Sequence, residues 1–521
     1  MSAKPLRAAV PKNLLSYLNS FETDRNTYVA DPEDDRRIIV ANQKIFSASG
    51  EFLEKRPLKV GDKIKVVPED SSCKRTEEER ERDGEEFTII GVSIWRPGLV
   101  LVQGRNIHTA EKGHDWEAAS RKIRFNGVST NIVTTTSPDG TQAHDPTRTS
   151  DGSSRKKGGL LGNDDVDITT DSCVPLTEYW LGKAAAHNAK HHDAPIVAIL
   201  DTGIDFQFDW TMCAFPEPAC PLWFNDKDTT KNELNIGPFQ KDLIGWNFVG
   251  TDSMLGSTQH NNPFDDDENH KHGTRIAAIL AHQCRQNKRA HLLDSALDKN
   301  VRLMILKTHD YRGVGLLFDI FCAFDYILAR KDVTIINASW GFYGKMICEF
   351  NQYMDRFEEN GIWFVNAAGN NSDFDDNYRV HQLSVNSDTE RYPACYSKNL
   401  NKVLTVTTAS NIYSYDSCKC APYYEIKQSE NYSKDFVDIA VAAGRDGSFP
   451  EPLNRTNHVI RGTSYATAYV IGKLVRSGLT ANKAEFLNTD NPFILWDDKL
   501  KPYVKNGLFI ASDVDVEKED F

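Results

Sequence analysis

The sequence predicts an α/β domain built on a doubly wound parallel sheet, with a smaller β-rich domain ahead of it. Strands without polar alternation are buried on both faces, as in a parallel sheet covered by helices. Segments with helical spacing lie between such runs, at 316–330 and 346–360. Alternating strands and helices are typical of a doubly wound sheet. The unbroken apolar runs follow residue 175, at 195–200, 301–306, 333–337, 361–369, 402–407 and 436–441.

The first part of the chain has a different pattern. Short β-type runs lie between residues 37 and 126, separated by turn residues and a charged stretch, and they predict a β-rich domain over residues 1–127. Residues 128–172 are rich in Ser, Thr, Asp and Gly without a sustained apolar period, which favours a flexible polar linker. The α/β domain is expected over residues 173–521, since a chain of 521 residues usually forms more than one structural unit.

Composition narrows the classes of function. Hydrophobic residues make up 40% of the chain and charged residues 26%, which suits a globular protein. The formal net charge of -13 disfavours nucleic acid as a partner, because its binding depends on clustered Lys and Arg. No run of about 18 apolar residues occurs, so no membrane-spanning helix is expected. Ten cysteines suit reduced thiols, and the first residues lack the apolar stretch of a signal peptide. We therefore expect an intracellular location, with secretion left open.

Three polar residues lie at positions where doubly wound α/β domains form functional sites. Asp201 directly follows an apolar run, which places it at the carboxyl edge of a buried strand, although an Asp there also forms turns. His272 and Ser464 each lie beside Gly and Thr where a helical segment begins. A lone His is often structural, and a Ser at such a position is a common N-cap. A Ser in the first helical turn also has backbone donors that point at a developing oxyanion.

Five strings in this order resemble the subtilisin family of serine peptidases, and the resemblance covers residues 194 to about 515. The strings are ILDTGID, HGT with its following helix, INASWG, VNAAGN and GTSYATA. The resemblance implies an endopeptidase in which Asp201, His272 and Ser464 are the catalytic triad, in the chain order of that family. It also implies that the Asn370 side chain is a donor of the oxyanion hole.

The same resemblance implies a cleft for a polypeptide substrate. An extended peptide would pair with two backbone walls as an added strand, above the floor of the primary specificity pocket. Trp340 is larger than the residue that the family often has there, which bears on the shape of the pocket. The walls are Gly313, Val314 and Gly315 on one side and Ser339, Trp340 and Gly341 on the other, and the floor is Ala367, Ala368 and Gly369.

Acidic clusters on each side of the proposed site leave two further roles open. Residues 265–268 carry four carboxylates, which calcium would favour, but they lack a recognisable ligand pattern and a solvated loop is preferred. No cofactor and no metal is therefore expected, with calcium as the alternative. Asp373, Asp375 and Asp376 leave open a preference for basic substrate residues near the pocket.

Two other functions compete with an active peptidase. A binding or scaffold protein on an inactive peptidase fold is disfavoured by the retained triad and Asn370. An esterase is disfavoured by the order of the triad and by the extended walls. The β-rich domain stays open between a module that binds a regulator or target and the inhibitory segment that members of the family often carry.

Overall fold

The computed structural model describes the α/β region and several strands ahead of it. The described residues are 36–42, 63–68, 85–92, 99–103, 116–118, 124–130, 133–135, 178–205, 221–225, 242–249, 261–267, 271–284, 300–311, 313–343, 346–370, 382–387, 389–413, 422–426, 430–444, 447–450, 452–453 and 459–512.

Among the described residues, seven strands precede the α/β region. Six of them form a closed antiparallel barrel in the order β1-β4-β3-β2-β5-β6. The seventh pairs with a strand of the α/β region, and regular structure therefore continues beyond residue 127. The strands are β1 Arg36–Asn42, β2 Lys63–Pro68, β3 Glu85–Val92, β4 Leu99–Gln103, β5 Trp116–Ala118, β6 Arg124–Thr130 and β7 Val133–Thr135.

Eight parallel strands form the body of the main sheet. Each of the six apolar runs in the sequence overlaps one of them, because both faces of the sheet are buried. Their order across the sheet is β22-β18-β16-β14-β12-β8-β10-β9. The strands are β8 Ile196–Asp201, β9 Gly245–Asn247, β10 Arg302–Lys307, β12 Val333–Ala338, β14 Trp363–Ala367, β16 Val403–Tyr413, β18 Ile439–Ala443 and β22 Leu508–Ala511.

Shorter strands and the helices complete the domain. Antiparallel β17 Pro422–Glu425 and β21 Leu495–Trp496 pair with β16 and β22. The remaining short strands are β11 Val314–Leu316, β13 Phe342–Tyr343, β15 Arg391–Tyr392, β19 Ser448–Pro450 and β20 Val459–Arg461. The helices are α1 Glu178–Lys190, α2 His272–Gln283, α3 Leu317–Arg330, α4 Cys348–Glu359, α5 Thr463–Arg476 and α6 Lys483–Phe486, with 3-10 turns at Ala394–Lys398, Asp498–Leu500 and Lys505–Gly507.

Two apolar layers cover the sheet, one on each face. Alternate residues of β8 point to opposite layers: Val197 and Ile199 pack with α2 and α5, while Ala198 and Leu200 pack with α3 and α4. The predicted doubly wound α/β fold is therefore confirmed for this part of the chain. None of the helices in the described ranges has the length and apolar character needed to span a bilayer.

The order of the strands fixes where a site can form. The chain builds β10 and β9 on one side of β8, and β12 and its successors on the other side. The crevice between β8 and β12 is therefore a topological switch point, and ligands of doubly wound sheets bind at the carboxyl end of such a crevice. Asp201 ends β8, and the segment that begins at Ser339 follows β12.

A buried arginine fastens α3 to the loop that precedes β9. Arg330 Nη1 donates to Asp242 Oδ2 at 2.8 Å, and Arg330 Nη2 donates to Asp332 Oδ2 at 2.8 Å. The guanidinium also lies 4.3 Å from the centre of the Trp223 ring. The Asp242 side chain is fully buried, whereas that of Asp332 is 31% exposed.

We expect Asp242→Ala to lower the free energy of unfolding by about 3–5 kcal/mol, because it leaves a buried guanidinium without one of its two carboxylates. Asp332→Ala removes the other, partly exposed carboxylate of the same arginine and should cost about 1 kcal/mol or less. Urea unfolding of the two variants and the wild type measures both losses. Equal losses would contradict the role assigned to burial of Asp242.

Candidate active site

Asp201 and His272 form a buried pair at the carboxyl end of β8. Asp201 is the last residue of β8 and His272 is the first residue of α2. His272 Nδ1 lies 2.7 Å from Asp201 Oδ1, and both side chains are fully buried. The backbone N–H of Thr202 donates to the same carboxylate oxygen at 2.8 Å. A carboxylate at Nδ1 keeps the proton on that nitrogen, so Nε2 is the basic nitrogen of the neutral imidazole.

The pair forms because α2 approaches the turn after β8 very closely. A Cβ atom on Gly273 would lie 2.4 Å from the carbonyl oxygen of Gly203, a distance that real Cβ atoms do not adopt. The Gly273 N–H donates to Thr202 Oγ1 at 2.9 Å, which holds the first turn of the helix against this loop. Glycine at 273 is therefore what brings His272 to Asp201.

Thr274 ties the same helix end to two acidic residues. Its hydroxyl accepts from the Asp205 N–H at 2.8 Å and donates to Asp265 Oδ2 at 2.6 Å. Burial raises the pKa of Asp265, while Lys307 and the hydrogen bond from Thr274 act in the opposite direction. The Thr of the HGT string thus has a structural role in holding the helix start.

Lys307 is a buried cation beside the pair, and sequence reasoning missed it. It lies opposite Asp201 in the β8–β10 register, and its side chain is 3% exposed. Its ammonium donates to the Thr202 carbonyl and, at 2.7 Å, to Asp266 Oδ1. Burial alone would lower the pKa of Lys307, but Asp266 and Asp265 raise it above its usual value. Lys307 therefore stays charged and fixes the turn that carries the Asp201 carboxylate.

Ser464 lies in the first turn of α5, which packs beside α2. Gly462 precedes the helix with φ 120°, a conformation that favours glycine. The ring of Tyr465 lies 5.4 Å from the His272 ring. The Ser464 hydroxyl donates to the Ser339 carbonyl at 2.9 Å. In this arrangement the hydroxyl proton is directed to the Ser339 carbonyl, in the predicted second wall, and not to the imidazole.

The Ser339 side chain anchors the start of α5. Its Oγ lies 2.9 Å from the Ser464 carbonyl oxygen and 2.7 Å from Thr467 Oγ1. Asn337 donates to Ser339 Oγ at 2.9 Å and accepts from Thr467 at 2.9 Å. This buried network joins the end of β12 to the helix that carries Ser464.

The amide of Asn370 lies at the same helix start. Its Oδ1 accepts from the Thr463 N–H at 2.9 Å, and Thr463 Oγ1 accepts from the Gly369 N–H at 3.0 Å. A Cβ atom on Gly462 would lie 3.0 Å from Asn370 Nδ2. The oxygen end of the amide is therefore held by α5, and the donor end lies beside Gly462, two residues before Ser464.

The first predicted wall is paired with a strand of the chain itself. Strand β11 contains Val314 and Gly315 of the predicted wall and runs antiparallel to β7. The partners are Val314 with Thr135, Gly315 with Thr134 and Leu316 with Val133. The backbone edge expected to receive a substrate is thus occupied by residues 133–135.

The side chain of Trp340, in the predicted second wall, points into the core. Its indole therefore does not fill the predicted cleft. Trp340 is 1% exposed, and its Nε1 donates to the Leu200 carbonyl at 2.9 Å. The ring of His309 lies 5.7 Å from the Trp340 ring. On its other side His309 meets the first wall, since a Cβ atom on Gly315 would lie 2.8 Å from His309 Nε2. His309 therefore contacts one residue of each predicted wall, Trp340 and Gly315.

The predicted pocket floor is held by two side chains that the sequence analysis did not single out. Ala367 accepts a hydrogen bond from Arg391 Nη1 at 2.8 Å, and Ala368 accepts one from Asn431 Nδ2 at 3.0 Å. Gly369 has φ 99° and turns the chain toward Asn370.

In the acidic cluster at residues 265–268, two carboxylates accept hydrogen bonds from neighbouring side chains. Asp265 accepts from Thr274, and Asp266 accepts from Lys307. No group of three His, Cys, Asp or Glu side chains suited to a metal occurs within the described ranges. The cluster at Asp373, Asp375 and Asp376 lies outside those ranges.

The comparisons with known proteins show the family to which the chain belongs. The model of the subtilase family matches residues 192–484, more than half of the chain. The chain belongs to the subtilase family. Subtilisin-like protease 3 of Plasmodium falciparum is 27% identical over 258 residues, which are 47% of this chain and 30% of that protein. Subtilisin-like protease 1 of Plasmodium berghei is 26% identical over 289 residues, 53% of this chain and 41% of that protein. The chain thus spans less than half the length of these relatives.

Two solved structures share a weaker likeness with part of the chain. The A subunit of the AB5 toxin from E. coli is 18% identical, with a TM-score of 0.38, and the match covers 64% of this chain and 94% of that one. A structure of the subtilase cytotoxin is likewise 18% identical with a TM-score of 0.38, and covers 65% of this chain.

His309 should make the subtilase domain sensitive to mild acid. Burial lowers the pKa of His309 to about 3, with Asp201 opposing and His272 and Lys307 reinforcing this shift. An unfolded His has a pKa of about 6.5. Below that value the unfolded state takes up the proton and the folded state does not. The free energy of unfolding therefore falls by about 1.4 kcal/mol per pH unit as the pH decreases from about 6.5 toward 3.

Between pH 7 and pH 5, we expect the free energy of unfolding of His309→Phe to decrease by about 2 kcal/mol less than that of the wild type. Urea unfolding at each pH measures this difference. His192→Gln is the control, because the His192 side chain is 76% exposed and its removal should leave the wild-type pH dependence unchanged. If His309→Phe loses as much stability as the wild type, the imidazole is not the acid-sensitive group.

Proposed function

We propose that this chain is a serine endopeptidase that cleaves polypeptides through an acyl-enzyme on Ser464. The observation that carries the proposal is the buried 2.7 Å contact between His272 Nδ1 and Asp201 Oδ1 at the switch point of the sheet. Ser464 lies in the first turn of the helix packed beside the one that carries His272. Each proposed step uses side chains of the chain itself. The absence of a cofactor and an intracellular location stay predictions from the sequence.

The proposed reaction is acyl transfer in two stages. His272 Nε2 takes the proton of the Ser464 hydroxyl while Oγ attacks the carbonyl carbon of the scissile bond, and the Asp201 carboxylate stabilises the imidazolium. The imidazolium then gives its proton to the leaving amine, and the acyl group stays on Ser464. In the second stage His272 deprotonates water, which attacks the ester, releases the acid product and returns the proton to Ser464.

The oxyanion would be bound by two donors at the start of α5, namely Asn370 Nδ2 and the Ser464 N–H. Support comes from the hydrogen bond between Thr463 and Asn370 Oδ1, which fixes the amide with its donor end toward this helix start. Loss of one such side-chain donor in this family is known to cost about 10²–10³ in kcat.

The Ser464 hydroxyl must turn from the Ser339 carbonyl to His272 before the reaction. In the proposed cleft, Ser339 belongs to the wall that pairs with the substrate backbone. A substrate N–H that donates to the Ser339 oxygen would compete with the present 2.9 Å bond from Ser464. Substrate binding would therefore favour the rotation that presents the hydroxyl to the imidazole.

A fluorophosphonate probe tests the nucleophile. We expect a covalent adduct on Ser464 in the wild type and none in Ser464→Ala or His272→Ala, because the probe needs an activated hydroxyl. Peptidase activity should fall by about 10⁴-fold or more in each variant. Mass spectrometry of the labelled chain and a fluorogenic peptide assay measure the two effects.

Ser477→Ala is the matched control, because Ser477 directly follows the same helix and its hydroxyl donates locally, to the Leu474 carbonyl. It should label and cleave as the wild type does. A folded wild type that forms no adduct, or an adduct that persists in His272→Ala, would instead favour a binding protein on an inactive peptidase fold.

For the N-terminal strands we propose a regulatory role through β7. Its antiparallel register with β11 uses the backbone edge that an extended substrate would need. A substrate can pair with that edge only after residues 133–135 have left it. The part of the chain ahead of the subtilase domain would therefore lower the activity of the domain until it is displaced.

Proline substitutions test this strand. Backbone donors to the partner alternate along an antiparallel strand, so one of Val133→Pro and Thr134→Pro removes an N–H that faces β11. We expect that variant to raise the rate of peptide cleavage several-fold in the full chain. Val133→Ala and Thr134→Ala keep the N–H groups and are the controls. Unchanged rates in both proline variants would contradict an inhibitory role of β7.

A further inference from the structure

A buried guanidinium lies against the predicted primary pocket. Arg391 is in β15, which pairs with β13, and β13 directly follows the wall that ends at Gly341. The pairing of β13 with β15 thus places Arg391 beside the predicted pocket. The residue is 6% exposed.

Short distances place the guanidinium between the second wall and the pocket floor. Arg391 Nη1 donates to the Ala367 carbonyl at 2.8 Å. A Cβ atom on Gly341 would lie 2.5 Å from Arg391 Nη1, and one on Gly369 would lie 2.4 Å from Arg391 Nε. The absence of side chains at the wall residue Gly341 and the floor residue Gly369 is what makes room for the arginine.

No carboxylate within the described ranges forms an ion pair with Arg391. The neighbouring Glu390 is turned elsewhere: it accepts from the Asn386 N–H at 2.8 Å and from the Tyr392 hydroxyl at 2.6 Å. Burial lowers the pKa of Arg391, and the groups that oppose this shift are Tyr343 and Cys395. Arginine nevertheless stays protonated in proteins, so the pocket holds a positive charge. A buried cation without an anion is unfavourable, and an anionic ligand would relieve this.

We propose that Arg391 determines specificity and that the pocket takes an acidic side chain, Glu or Asp, at the substrate residue whose carbonyl is attacked. This inference rests on the proposed function. Arginine has five N–H donors in a planar fork that matches a carboxylate, and the bond to Ala367 uses one of them. A Lys or Arg side chain in the same pocket would be repelled.

The experiment compares hydrolysis of peptides that differ only at that residue, with Glu, Asp, Gln, Ala, Phe or Lys, by the full chain at one ionic strength. We expect kcat/KM for Glu to exceed that for the isosteric Gln by about 10- to 100-fold, as for a hydrogen-bonded charge. Arg391→Met removes the charge at similar length and should bring the Glu to Gln ratio close to one. Arg391→Lys keeps the charge and should keep a ratio above one.

Arg356→Met is the matched control, since it makes the same substitution on α4 at a side chain that is 43% exposed. It should keep the wild-type ratio. The inference is wrong if the wild type cleaves the Gln, Ala or Lys peptide as well as the Glu peptide, or if Arg391→Met keeps the preference. Should Arg391→Met not fold, the wild-type ratio and Arg391→Lys still decide.

Fluorophosphonate labelling distinguishes an error about the pocket from an error about the nucleophile, because this small probe reacts with the nucleophile without an acidic side chain in the pocket. A chain that labels on Ser464 and cleaves the peptides without a preference for Glu or Asp refutes the acidic pocket alone. A folded chain that neither labels nor cleaves any of the peptides refutes the proposed peptidase, and the inference with it.

Discussion

The contact between the backbones of Gly203 and Gly273 is the constraint on which the candidate site depends. A Cβ atom on Gly273 would meet the Gly203 carbonyl oxygen at 2.4 Å, so a larger residue would push α2 away from the end of β8. Such a shift would separate His272 Nδ1 from Asp201 Oδ1, which lie 2.7 Å apart with both side chains fully buried. The parallel sheet places the carboxylate, and this close approach places the base.

Burial of that pair requires a balance of charge around it. Buried Asp265 interacts with Asp201 and Asp267, and the buried ammonium of Lys307 interacts with Asp265 and with the more exposed Asp266. Without Lys307, Asp265 would be buried beside two other carboxylates with no cation to oppose the rise of its pKa. The same ammonium donates to the Thr202 carbonyl, directly after Asp201. Lys307 thus combines an electrostatic and a positional role, and it leaves Asp201 free to interact with His272.

The sequence predicted those features that depend on local pattern. Six apolar runs gave strands because a sheet buried on both faces needs them, whereas β9 is only three residues long and has no such run. The strings around Asp201, His272 and Ser464 could be recognised because each lies at one strand end or helix start. Lys307 and Arg391 could not, because their partners Thr202 and Ala367 are 105 and 24 residues away and arise from strand pairing. The rotation of Ser464 toward Ser339 likewise depends on a contact between distant segments.

Two buried arginines in this domain have opposite surroundings. Arg330 donates to the carboxylates of Asp242 and Asp332. These ion pairs compensate its buried charge and explain its presence in the core. Arg391 is almost as buried, yet within the described ranges its hydrogen bond goes to a neutral carbonyl and its ring contact to Tyr343. A residue kept only for packing would be favoured as a neutral side chain, because desolvation of an unpaired guanidinium is costly. This unfavourable free energy of desolvation arises where the predicted pocket floor meets the predicted wall. A ligand carboxylate bound there would supply the missing anion.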